Sequence, residues 1–253
     1  MKKLLSLLLI AIMCITFACP TIASAATVKI SKTRLTMNIG KTYTLKITGT
    51  KQTVKWTSNK SSVASVSSKG KVTAKAAGTA TITATVNKKP YKCQVTVKDP
   101  DVEVIFDILD NSGYTMEEYI ENVKSENPDF KAVKQYDDTH YIATMKESKR
   151  RSLISDFDSM IDGMIKEYLS SPDYSSVFTD VIYNDSMSEI TISVVAENYE
   201  STSSFNTIMA FRSLSYNYQA LKLIDPKDRY LVVDIVDAAT RNTLYKYDSR
   251  KYN

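Results

Sequence analysis

Between Trp56 and Val86 apolar and polar residues alternate in short runs, broken at Gly70 and Gly78. Alternation at period two puts every second side chain on one face, so each run predicts a strand with one buried face. Val54 and Trp56 form one set, Ala64 and Val66 another, and Val72 and Ala74 a third. Ala80, Ile82, Ala84 and Val86 make the longest, with Tyr43, Leu45 and Ile47 before it and Cys93, Val95 and Val97 after it. Lys46, Lys55, Lys71, Lys75, Lys92 and Lys98 take the outward parity. Many short strands punctuated by Gly and Ser predict two antiparallel sheets packed face to face. Trp56, the one Trp of the chain, is expected on a central strand between the sheets, and Cys93 as a small buried hydrophobe.

After Asp101 the period changes. Val102 to Leu109 reads as a strand. Thr115-Met116-Glu117-Glu118 is a capping box, opening a helix with Met116, Tyr119, Ile120 and Val123 on one face and ended by Asn127-Pro128. Phe130–Tyr136 and His140–Met145 read as a hairpin around Asp137-Asp138. From Glu147 to Leu169, Leu153, Ile154, Phe157, Met160, Ile161, Met164, Ile165 and Tyr168 recur at three and four, the stripe of an amphipathic helix. Strands at 177–183 and 189–196, a helix at 203–223 using Phe205, Ile208, Met209, Tyr216 and Leu223, and strands at 229–236 and 243–247 complete the pattern. The order is one strand, then helix plus hairpin three times, which predicts antiparallel strands with helices on one face.

The start of the chain belongs to neither pattern. Lys2 and Lys3 precede an apolar run from Leu4 to Ala18, and Ala23-Ser24-Ala25 supplies small residues for signal-peptidase cleavage after Ala25 or Ala26. The run is short for a membrane span, so export is expected, with no transmembrane segment in the mature chain. A lipoprotein cysteine at Cys19 is less favoured because Phe17 stands where a small residue is usual. Cleavage removes Cys14 and Cys19, leaving Cys93 and no intramolecular disulfide. No apolar span or sorting tail follows Tyr247, so no covalent wall anchor is expected there.

Charge divides the remainder. From Thr27 to Asp99 there are fifteen Lys and Arg and one acid, Asp99, a balance of +14; from Pro100 onward sixteen bases face twenty-seven acids, a balance of −11. Asp99-Pro100-Asp101 marks the break. The expected organisation is a signal peptide at 1–25, a basic β domain at 26–99 and an acidic α+β domain at 100–253.

Gly40, Trp56-Thr57-Ser58, Val63-Ala64-Ser65-Val66, Gly70-Lys71-Val72-Thr73-Ala74, Gly78-Thr79-Ala80-Thr81-Ile82-Thr83-Ala84 and Val95-Thr96-Val97 together resemble the bacterial Ig-like group 2 domain. The resemblance spans about residues 28–97. It implies an Ig-like β-sandwich of the kind found in adhesins and as an accessory module on secreted bacterial enzymes, and it carries over no catalytic residues. The fold class expected is mainly β plus α+β: an N-terminal Ig-like β-sandwich, then an α+β domain with antiparallel strands and about three helices. Residues 100–253 resemble no family.

Chemistry is sparse. His140 is the only histidine, and no nucleophile elbow, P-loop or dinucleotide fingerprint occurs. Asp107, Asp110, Asn111 and Gly113 miss the spacing of an EF-hand, so no metal and no cofactor is expected. Asp156, Asp158, Asp162 and Glu167 fall off the apolar stripe of their helix and read as a solvated face. Sixteen tyrosines serve either as packing or as an aromatic platform. Lys69, Lys71, Lys88 and Lys89, at expected hairpin tips, are the candidate polyanion contacts. The leading reading is an exported bacterial envelope-associated or secreted binding or adhesion protein, not an enzyme. Its partner would be an anionic cell-envelope polymer, glycan or surface protein, and export argues against nucleic acid. The alternatives are a secreted carboxylate-based hydrolase with its catalytic domain at 101–253, and an assembly or regulatory subunit.

Overall fold

The computed structural model describes residues 27–108, 113–172, 174–199 and 202–251. The export segment with Cys14 and Cys19, and Asp110 and Asn111 of the weak calcium pattern, lie outside the described residues. The chain divides into two compact units, one ending at Val97 and the other beginning at Lys98.

In the first unit the alternation becomes two antiparallel sheets. One has the order β2-β9-β8-β5, from Arg34–Asn38, Lys89–Lys98, Gly78–Val86 and Lys55–Ser58; the other has the order β3-β7-β6, from Thr42–Thr44, Lys71–Ala74 and Ala64–Val66. Leu35 and Met37 from β2, Val72 and Ala74 from β7, and Ile82 and Cys93 from β8 and β9 meet in one core. This is the expected sandwich. Leu35, Met37 and Ile39 alternate as clearly as their neighbours, and their strand, β2, adds to the expected set. The run from Thr42 to Thr48 is broken: β3 pairs with β7, while β4 (Ile47–Thr48) pairs with β1 (Lys29–Ile30). Leu45 lies between, donating its N–H to the Gly70 carbonyl, and Lys46 bonds Ser31.

Trp56 departs from its expectation. β5 is an edge strand paired only with β8, so the indole is half-buried rather than sealed between sheets. It lies against Gly70, whose φ is +79°; a Cβ there would come within 2.5 Å of the Leu45 carbonyl oxygen and 2.9 Å of the indole. Only glycine accepts that backbone and that approach. Cys93 is fully buried, which pushes its thiol above the ordinary value.

The second unit follows the predicted order of elements. β10 (Asp101–Asp107), β12 (His140–Lys146) and β11 (Ala132–Gln135) form an antiparallel sheet in that spatial order. α1 (Met116–Glu126) begins with the expected box: Thr115 Oγ1 accepts from the Glu118 N–H, and the Thr115 N–H donates to Glu118 Oε2 at 2.8 Å. α2 (Glu147–Ser170) carries the long stripe. Ile154 and Phe157 on it touch two cores, one against β10 and β12 and one against the last sheet. Met160 is the exception, being exposed.

The last sheet has the order β13 (Phe178–Tyr183), β14 (Glu189–Val194), β15 (Val232–Asp237), β16 (Thr243–Asp248). Its central pair, β14 and β15, is parallel and is connected through α3 (Thr202–Leu221); the flanking pairs are antiparallel. A parallel pair requires a crossover, and the helix supplies it. α3 buries Ile208, Phe211, Tyr216 and Leu221. Leu223, expected on this stripe, lies beyond the helix end at φ +62° and is exposed; the side chain of Phe205 lies outside the described residues.

Candidate functional site

All four candidate lysines are exposed. Lys69 is in the β6–β7 turn, where the Ser67 N–H bonds the Lys71 carbonyl, and Lys71 opens β7. Lys88 is in the two-residue turn joining β8 to β9, and Lys89 opens β9. The two turns lie at the same end of the sandwich. Trp56 pairs with Ala84, two residues before the Val86–Lys89 closing pair, and its ring meets Gly70 of the other turn. β9 runs ten residues from this pole to Lys98, about 30 Å at the usual rise. The lysine tips therefore stand at the end of the sandwich away from where the chain leaves it.

Beside the β6–β7 turn is an open groove of about 450 Å³. Trp56 and Val54 give it an apolar part, and Lys46, Lys69, Thr53 and Ser68 a polar one. Lys71, Lys88 and Lys89 are not among its lining residues. No carboxylate of its own unit offsets its charge, because residues 27–98 contain no Asp or Glu. Among the described residues, the ion pairs lie in the second unit, as between Asp101 and both Lys131 and Lys146, or Lys246 and Asp234.

The turn at Lys88 is strained. Asn87 and Lys88 have φ of 48° and 65°, the left-handed pair of a type I′ turn, for which Asn-Gly is the favoured sequence. A lysine at the second position costs about 1 kcal/mol relative to glycine.

The second unit contains a charge cluster that no local sequence pattern marks. Arg229, with its side chain 1% exposed, donates to Asp107 Oδ2, to the Ile105 carbonyl at 2.7 Å and to the Ile224 carbonyl at 2.9 Å. Asp107 Oδ1 lies 3.3 Å from His140 Nε2, and His140 Nδ1 lies 2.8 Å from Asp137 Oδ1. Burial alone would raise the Asp137 carboxyl, but the Thr139 N–H and His140 hold it below the ordinary value. The cluster borders a cavity of about 310 Å³ that also touches Arg212, which sits over the Tyr216 ring. Both ring nitrogens of His140 face carboxylates, so neither presents a free lone pair to a substrate, as a general base must. Among the described residues no three His, Cys, Asp or Glu side chains are placed to hold a metal ion.

Two further side chains differ from expectation. Asp158, read as part of a solvated face, is half-buried and accepts from the Tyr218 hydroxyl at 2.7 Å. Glu147, at the start of α2, is buried and held below the ordinary value chiefly by Arg150, which also donates to the Leu221 carbonyl at the end of α3.

Residues 24–97 match the bacterial Ig-like domain (group 2), as the motif order implied, and the remainder matches no family. No curated protein matches the chain. Among solved structures, a bacterial Ig-like domain containing GH10 xylanase from termite gut is 26% identical over 28% of this chain and 20% of its own, with a TM-score of 0.26. Domains 4 and 5 of the S-layer protein SbsC are 27% identical over 28% of this chain and 50% of their own, with a TM-score of 0.24. The chain thus covers half or less of each. No helix among the described residues is long and apolar enough to cross a membrane.

Proposed function

We propose, from residues 24–97 being a bacterial Ig-like group 2 domain, that the protein is an exported binding protein, envelope-associated or secreted. In this reading the Ig-like domain meets an anionic polymer of the cell envelope through Lys69, Lys71, Lys88 and Lys89. The observation that carries it is a pole of exposed lysines on a unit with no carboxylate of its own. Surface lysines elsewhere gain little from a neighbouring acid; here the unit itself supplies none, and the field adds over the whole pole. The strained Lys88 supports the same reading, since a turn built for stability alone would have glycine there. The Asp107–His140–Arg229 cavity lends a hydrolase reading little support, because its charged groups are engaged with one another.

The test is sedimentation of the full chain with purified bacterial cell walls. The protein should pellet at low salt and release as salt rises, because exposed charges are screened beyond about 8 Å at physiological ionic strength. Lys88→Glu with Lys89→Glu should weaken the binding. Protein that stays in the supernatant at low salt, or that pellets independently of salt, would remove the proposal.

A further inference from the structure

We infer that the groove at the lysine pole is a binding site for an anionic polysaccharide, with the Trp56 indole carrying a sugar ring and Lys46 and Lys69 meeting its acidic groups. This rests on the polyanion reading above and narrows it from charge alone to a class of polymer. A polymer without rings, such as polyphosphate, needs only cations. The groove has more than cations.

Trp56 is on an edge strand and half-buried, so part of the indole remains open where a fully packed sandwich would have closed it. The C–H faces of a pyranose are apolar and slightly electropositive, and they lie well on the negative face of an indole. Thr53 and Ser68 line the same groove, and among the described residues their hydroxyls have no protein partner. They are free to bond sugar hydroxyls. An aromatic surface with a few converging polar groups is the usual make-up of a small-ligand site. The charge selects among sugars: Lys46 and Lys69 face the groove in a unit with no Asp or Glu, so an acidic sugar is favoured over a neutral one. Successive acidic residues of the same chain would then run on to Lys71, Lys88 and Lys89 at the same end of the sandwich.

Because Trp56 is the only Trp, the full chain reports on its own groove by intrinsic fluorescence. Polygalacturonate and polyphosphate, matched in charge concentration at low salt, are titrated in parallel. Polygalacturonate should shift the Trp emission to shorter wavelength and saturate. Polyphosphate should bind, as sedimentation or light scattering detects, and leave the emission unchanged. Lys69→Glu, in an exposed turn, should weaken polygalacturonate by about tenfold, equivalent to about 1.4 kcal/mol. Trp56→Phe, which keeps a ring, should retain part of the affinity. Silent emission while both polymers bind would overturn the groove site and leave the polyanion pole standing. Binding of neither polymer would overturn both. An equal shift with a neutral galactan would also overturn the inference, because charge would then play no part.

Discussion

Arg229 holds the second unit's most demanding residue-scale interaction. Its side chain is buried, and all of its described bonds go to Asp107 and to two carbonyls. Such a pair adds little net stability over a well-packed apolar one, but losing one partner strands the other charge. Arg229→Ala should therefore cost about 3–5 kcal/mol, read as a lower denaturant midpoint for the second unit. Adding Asp107→Asn to that variant should recover part of the loss, because the stranded carboxylate is gone. No change in the single variant would mean that water already reaches Asp107. None of this was legible in the sequence: Arg229 and Asp107 are 122 positions apart, and their pairing depends on where α3 returns the chain. Local alternation was enough to place Lys69 and Lys88 in turns, with Lys71 and Lys89 opening the strands that follow. Trp56 was legible as apolar and strand-borne, but not as an edge residue, since strand order is set by long-range pairing.

At the scale of elements, what the sequence made visible is what forms locally. The Thr115 box and the stripe of α2 are local chemistry, and both recur in the structure within a residue or two of their expected limits. The break between β3 and β4 and the parallel pairing of β14 with β15 depend on partner strands, which no short pattern encodes. The β8–β9 turn tests whether an element has been shaped for binding rather than stability. Lys88→Gly should raise the melting midpoint of the first unit, by about 1 kcal/mol in stability, since φ of 65° suits glycine. The same change removes a charge from the pole, so it should weaken cell-wall binding. Stability and binding moving in opposite directions is the expected result; if both improve, Lys88 has no part in the contact.

At the scale of the molecule, each unit has its own apolar core, and the two differ most in what they can titrate. Residues 27–98 contain no Asp, no Glu and no His, while every one of the 28 acids lies from Asp99 onward. Folding stability depends on pH only where folded and unfolded chains bind different numbers of protons. Between about pH 4 and pH 8 the side chains of the first unit have nothing to exchange. The second unit does: Glu147 is held below its ordinary value by Arg150, and Asp137 by Thr139 and His140. Their contribution is complete above the unfolded carboxylate value and is lost as pH falls through the lower folded one. Calorimetry carried from neutral pH down to and below about pH 4 should resolve two transitions that separate in acid, the second unit melting earlier while the first holds its midpoint; a single transition moving as one would show the units to be coupled. The lysine pole is thus a proton-blind surface. Acidifying the surroundings cannot switch off its charge, so any pH at which the protein lets go of a polymer is set by the polymer, at the pH where its own acidic groups take up protons.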